Sequence, residues 1–484
     1  MRRLAVAAVA LLAAAGVVLW LLVLRAGPGW DGSTLRGTWV DPRGTGLLER
    51  GRGEPLVART ALAQRSRPVR TLATFVQISD PEITDAQSPA RLEMLDRYGR
   101  PFTSAFRPQE TLTGQVLAAS LASVDRLHPQ AVVLTGDLIA NDQENELDEI
   151  LGILRGGTVD PDSGGPGYQG IQAATDPDPY YYRPQVDPPQ HPGLLAEAVQ
   201  PFVSPGLQAP WFPVVGDHDL LVQGNLPATP ETNAIATGDR KLIALDPAAL
   251  GLVKTGRLEP RLVTGLLAHG LPGPWMHVTA DPLRRELTPA QVLARLRRAS
   301  GTGGHGPLLD YTFPIGHALL GVALDTVSRS GGAEGIVRPA QVQWLRSRLQ
   351  AAGRRSVIVF THSALTGCIG GVGALALLDR HSNVLAAVSG GSHSNSISPR
   401  HTPAGGYWLI STSSLLDYPQ QARAFRLLQT ADGGRVLQTW MIDPDPRDRL
   451  ASISLQLAYL DFQGGRPQGF AGRRSDRNAS LYLH

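Results

Sequence analysis

The stretch Leu72-Ala73-Thr74-Phe75-Val76-Gln77-Ile78-Ser79-Asp80-Pro81-Glu82 sets the reading of this chain. Residues 72–78 are largely apolar, with β-branched and aromatic side chains, the composition of a core strand. The strand ends on two carboxylates, Asp80 and Glu82. Four more apolar runs end the same way. Residues 131–134 lead into Thr135-Gly136-Asp137, and 211–215 into Gly216-Asp217-His218-Asp219. Residues 356–360 lead into Thr361-His362, and 384–388 into Ser389-Gly390-Gly391-Ser392-His393. Loops at the carboxyl ends of core strands are where α/β enzymes carry their sites. Asp, Glu and His at five such tips point to a metal centre.

Around these tips the pattern alternates between strand and helix, which predicts a layered α/β fold. Helices are expected over residues 112–128, 144–154, 289–298 and 341–349. Further strands are expected at 318–324 and 407–410, with a hairpin at Asp432-Gly433-Gly434. Residues 450–460 carry Ile453, Leu455, Leu457 and Tyr459 in alternation and read as a strand ahead of the tail, within a C-terminal segment 446–484. Regularity lapses at about 156–210 and 220–307, two insertions in a domain spanning 71–445. The run Tyr180-Tyr181-Tyr182 in the first reads either as a substrate wall or as the packed core of the insertion.

The chain has 484 residues, a net charge of +3 and one cysteine, Cys368. A near-neutral chain with scattered arginines carries no nucleic-acid-binding signature. One cysteine excludes an intrachain disulfide and thiolate metal clusters, and reads as a small buried hydrophobe. Arg2 and Arg3 precede an uncharged run at residues 4–24, long enough to cross a hydrocarbon core of about 30 Å. No clear cleavage site follows, which favours an uncleaved signal anchor over residues 1–25, with the body outside a cell membrane; cleavage would make the protein secreted. Residues 26–70, rich in Gly, Arg and Pro, read as a linker or irregular lead-in.

The order of the tips resembles the calcineurin-like metallophosphoesterase superfamily. Its motifs D-x-H, G-D, G-N-H-[DE], H and G-H-x-H correspond here to Asp80-Pro81-Glu82, Gly136-Asp137, Gly216-Asp217-His218-Asp219, His362 and Gly390-Gly391-Ser392-His393. Gly136-Asp137-Leu138-Ile139, residues 412–421 and Asp476-Arg477-Asn478 suggest an insert-rich, exported, actinobacterial-type branch. The resemblance implies a four-layer sandwich, two mixed β-sheets flanked by helices, and two divalent ions (Mn, Fe, Zn or Mg). By the resemblance, Asp80, Glu82, Asp137 and His393 hold the first ion, and Asp137, Asp217 and His362 the second. It implies His218 as the catalytic acid, with Asp219 as a plausible orienting partner.

Three departures matter. Glu82 replaces a histidine, Asp217 replaces an asparagine, and Gly391 replaces a histidine that serves the second ion in the family. His381 or His401 could supply the missing donor, and Gly391→His is expected to tighten the second site. Each residue also has a plain reading: Asp80 and Asp137 as caps, Glu82 as a surface carboxylate, Asp217 and Asn395 as turn residues, His362 and His393 as structural histidines. The implied activity is hydrolysis of a phosphomonoester or phosphodiester by metal-activated water. The alternatives are a binding scaffold on a degenerate phosphoesterase fold and a one-metal hydrolase.

Overall fold

The strand that opens the sequence reading is buried on both faces. Ala73 and Phe75 face one cluster of apolar side chains, Val76 and Ile78 another, and all four are buried. Such a strand must lie between two layers. The computed structural model describes residues 32–99, 105–247, 273–461 and 469–484.

The strands in chain order are β1 (Gly37–Val40), β2 (Glu49–Arg52), β3 (Val57–Arg59), β4 (Pro68–Ile78), β5 (Val132–Thr135), β6 (Gly157–Val159), β7 (Phe202–Ser204), β8 (Trp211–Val214), β9 (Arg240–Leu242), β10 (Trp275–His277), β11 (Tyr311–Ile315), β12 (Leu319–Ala323), β13 (Ser356–Thr361), β14 (Val384–Ser389), β15 (Ser396–Arg400), β16 (Tyr407–Ser411), β17 (Ala422–Thr430), β18 (Arg435–Ile442) and β19 (Ala479–Leu483). Two mixed sheets dominate. A seven-stranded sheet has the order β3-β19-β18-β17-β4-β5-β8, and a six-stranded sheet the order β11-β12-β13-β14-β16-β15. Strands β4, β5 and β8 are parallel, as are β12, β13, β14 and β16.

The sheets pack face to face through Phe75, Phe313, Phe360, Phe425 and their neighbours. Phe75 stacks on Phe425 at 4.7 Å between ring centroids and meets Phe360 edge-on at 6.0 Å. Helices Thr113–Asp125, Glu144–Arg155, Pro289–Ser300 and Arg449–Leu460 cover the outer face of the seven-stranded sheet. Helices Pro339–Ala352 and Gly371–Leu378 cover the six-stranded sheet. The result is the expected four-layer sandwich. Tyr181 is buried against Phe106 and Tyr180, so this part of the tyrosine run is packed insertion core.

Two expectations change. Residues 450–460 form a helix, capped by the Asp448 carboxylate accepting from Ala451 N. Its buried positions Ala451, Ile453, Ser454, Leu455, Leu457 and Ala458 are linked by the helical spacings of three and four. Three of these six are Ala or Ser, so the large ones alone, Ile453, Leu455 and Leu457, give a false alternation. The lead-in also belongs to the fold from residue 32 onward. β3 pairs in parallel with β19, and Thr34 Oγ1 donates to the Met441 carbonyl at 2.9 Å. Its strands are short and mostly unburied, so they carry little apolar signal. The run at 4–24 lies outside the described residues. Among the described residues, no helix is long and apolar enough to cross a membrane.

Candidate metal centre

The carboxyl ends of β4, β5, β8, β13 and β14 meet at one edge of the sandwich. Gln77, buried in β4, joins the sheets there: its Nε2 donates to Thr135 Oγ1 at 2.9 Å and to the Ser389 carbonyl at 3.0 Å. Beyond the strands the first two loops run side by side. Asp80 N donates to Gly136 O at 3.1 Å and Glu82 N to Asp137 O at 3.0 Å. Leu415 N in turn donates to the Ser79 carbonyl at 3.0 Å, so the 412–421 segment walls the first loop.

All six proposed ligands converge. His393 Nε2 lies 3.2 Å from Glu82 Oε1 and 3.8 Å from Asp80 Oδ1. His362 Nε2 lies 3.3 Å from Asp137 Oδ2 and 3.1 Å from Asp217 Oδ1. Asp80, Asp137 and His393 each bring a ligand atom within 4.8 Å of the others, and so do Asp137, Asp217 and His218. Asp137 is common to both groups, the place of a shared carboxylate. Asp80, Glu82, Asp137 and Asp217 are all buried.

Hydrogen bonding fixes which imidazole nitrogen faces the centre. His362 Nδ1 is 2.9 Å from the Thr135 carbonyl, so Nδ1–H donates there and the neutral ring carries its lone pair on Nε2. His393 Nδ1 is 2.7 Å from Asp417 Oδ2, with the same consequence. His218 Nδ1 is 2.7 Å from the Ala140 carbonyl. A hydrogen-bonded outer nitrogen is the usual companion of a metal-ligating imidazole.

The charges show what the centre lacks. Burial pushes the Asp80 carboxyl up to about 6, against the pull of His393 and His362. Burial also raises Asp137, but His362 and His218 overcome it and hold that carboxyl below its ordinary range. Burial disfavours the charged imidazoles, yet Asp137 drives His362 well above its ordinary value, and Asp417 and Glu82 do the same for His393. The carboxylates therefore demand positive charge, and in the protein alone protons on His362, His393 and His218 supply most of it. Four carboxylates and two imidazoles with fixed tautomers fit divalent cations, which would displace those protons.

Some expected details differ. Asp219 does not orient His218; its carboxylate accepts from Leu138 N at 2.7 Å and Gly216 N at 2.8 Å, and so ties the second and third ligand loops together. The Ala140 carbonyl takes the orienting place. His381 precedes β14 and His401 follows β15, both at the opposite end of the six-stranded sheet from His393, so neither can supply a donor. At Gly391 a Cβ would lie 3.0 Å from His362 Nε2, and φ is +68°, so a histidine there meets an occupied space. Asp417 and Arg107 also belong to the site. Arg107 Nε donates to Asp417 Oδ1 at 2.6 Å, holding the carboxylate that holds His393. Asp417 lies inside the segment 412–421, but nothing local in sequence pairs it with Arg107.

No protein-family model matches the chain, and no curated protein matches it in sequence. Three solved structures are similar. A dimetal phosphatase from Danio rerio is 12% identical at TM-score 0.39, over 78% of this chain and 100% of that one. A Thermus thermophilus sulfate thiohydrolase, SoxB, is 13% identical at TM-score 0.31, over 82% of this chain and 62% of its own. Purple acid phosphatase PPD1 from yellow lupin (Lupinus luteus) is 11% identical at TM-score 0.32, over 83% and 57%. This chain thus spans less than two thirds of the second and third.

Proposed function

We propose that the chain is a metal-dependent phosphoesterase of the calcineurin-like type. One observation carries this reading: two acid-and-imidazole groups, one with His393 and one with His218, share Asp137, and a neighbouring oxygen orients each of His393, His218 and His362. Asp80, Glu82, Asp137 and His393 would hold one ion, and Asp137, Asp217 and His362 the other. A pair of such ions supplies an acidified water and neutralises charge on phosphoryl oxygens. The oxygen-rich donor set leans toward Mn or Mg over Zn. The chain's own residues do the rest. Asp417 and Thr135 orient the two imidazoles, Gly391 N donates to Asp80 Oδ1 at 3.0 Å, and Asp219 locks the ligand loops together. The convergence of all six ligands weighs against a degenerate scaffold.

The substrate class proposed is a phosphomonoester or phosphodiester. The run at 4–24 supports a companion proposal, that the body stands outside the membrane on a single anchor. Metal analysis of the purified full-length chain, with a phosphoester panel, tests the function. Stoichiometric metal and hydrolysis are expected in the unaltered protein, and neither in Asp137→Asn. A protein that carries no metal, or an Asp137→Asn variant with full occupancy and activity, defeats the reading.

A further inference from the structure

We infer that His218 is a donor to the second ion and replaces the imidazole absent at Gly391. The inference rests on the metal-dependent reading above. The second group has Asp137, Asp217 and His362, one protein donor short of a tetrahedral set. Gly391 brings no side chain, and His381 and His401 lie at the far end of the sheet. His218 lies in the group itself: Asp137, Asp217 and His218 present ligand atoms within 4.8 Å of one another.

Two further observations aim it there. Its Nδ1 is 2.7 Å from the Ala140 carbonyl, so the neutral ring carries its lone pair on Nε2, just as Thr135 O sets it on Nε2 of His362. Gly224 faces the same space. A Cβ on that residue would lie 2.6 Å from His218 Nε2 and 2.8 Å from Asp217 Oδ2. Its φ is +68°, which favours glycine. The glycine therefore lets the imidazole edge and the Asp217 carboxylate pack side by side directly against the loop backbone. One consequence follows for the chemistry. With Nδ1–H committed to Ala140 and Nε2 to the ion, His218 has no proton to give a leaving group. The acid role that the resemblance implies is then vacant.

The test titrates Mn²⁺ into metal-free full-length protein by calorimetry, for the unaltered chain, His218→Ala and Asp137→Asn. Zn²⁺ titration of [15N]histidine-labelled protein, with His218→Gln to assign the signal, reads the Nε2 resonance directly. The expected result is two ions in the unaltered chain. His218→Ala should keep the first ion and weaken the second by more than about 100-fold, beyond the 10–100-fold typical of outer partners. The His218 Nε2 signal should move on loading the second site. Gly224→Ala, which places a methyl in the shared space, should weaken the second ion alone, and serves if His218→Ala misfolds. Two ions bound as in the unaltered chain by His218→Ala, with a stationary Nε2 signal, would overturn the inference and leave the phosphoesterase reading intact. So would a single ion in the unaltered chain that His218→Ala binds equally well. No ion in any protein would instead overturn the metal-dependent reading.

Discussion

Asp417→Asn is the sharpest probe of how the first ligand set is held. The Asp417 side chain is 1% exposed and accepts two hydrogen bonds, Oδ2 from His393 Nδ1 at 2.7 Å and Oδ1 from Arg107 Nε at 2.6 Å. Asparagine keeps the shape but has one acceptor and one donor. One of the two N–H groups must then face an amide NH2. If His393 adapts by accepting at Nδ1, its proton moves to Nε2, where the ion would bind. If Arg107 is the loser, a buried guanidinium loses its nearest anion, keeping Asp461 at 3.5 Å and Asp96 at 4.0 Å. Loss of an outer partner of a metal-ligating histidine costs roughly 10–100-fold in affinity, or about 1.4–2.8 kcal/mol. Breaking a buried pair costs about 3–5 kcal/mol, and the remaining acids near Arg107 place this case near the lower end. Calorimetric Mn²⁺ titration and urea unfolding of the metal-free protein measure the two terms separately. Asp379→Asn is the control: it breaks the Arg400 pair on the sheet away from the centre and should leave metal affinity alone. Unchanged affinity for the first ion in Asp417→Asn would refute the argument that this carboxylate sets the His393 tautomer.

Three more outcomes are expected. Gly391→His should lower stability by about 1–3 kcal/mol, from left-handed backbone strain and the contact with His362, without tightening the second site; a tighter site at full stability would show that His362 gives way. Glu286→Gln should raise stability at pH 8 and change little at pH 5. Burial lifts the Glu286 carboxyl to about 7 while Thr232 pulls it down, so the folded state binds the extra proton between the unfolded value near 4.3 and 7, and stability falls as pH rises through that window. The gain at pH 8 is about 4 kcal/mol at most, read by thermal unfolding at both pH values, and equal shifts at pH 5 and pH 8 would exclude it. The full-length chain should stay with membranes through alkaline carbonate extraction and be digested by protease added to intact cells; release by carbonate, or a protected body, would overturn the anchor.

The strand ends were legible because apolar β-branched runs and ligand residues adjoin in sequence. All five tips and their strands could be placed from residues within about ten positions of one another. What was missed depends on partners far along the chain. Asp417 meets Arg107 across 310 residues, and nothing near either one announces the other. The orienting acceptors of His218 and His362 are backbone carbonyls of Ala140 and Thr135, which have no sequence signature. The helix Arg449–Leu460 was hidden for a different reason. Half of its buried face is Ala and Ser, small residues that pack closely on a neighbouring helix yet carry little hydrophobic signal.

Backbone strain at the centre adds a separate line of argument. Among the described residues, seven non-glycine positions have φ in the left-handed region, and four are Asp80, Glu82, Asp137 and His393. Each costs about 1–2 kcal/mol, and such residues persist only where surrounding bonds over-determine them. Those bonds are present and buried. Gln77 ties β4 to the ends of β5 and β14, and its Oε1 accepts from Thr412 Oγ1 at 2.6 Å. Arg423, fully buried, donates from Nε to Thr412 Oγ1 at 2.8 Å and from Nη2 to Asn395 Oδ1 at 2.7 Å. Asn395, which reads in sequence as a turn residue, thereby pins the loop that carries His393. Burial pushes the Arg423 guanidinium down to about 9, with Asp476 opposing. Its contacts are made with hydroxyl, amide and carbonyl oxygens, so it braces the loops without placing a carboxylate among them. Free energy released on folding thus holds four ligands in a geometry that the chain would not adopt locally. That expenditure has no return in stability, and it is accounted for if the geometry serves cations.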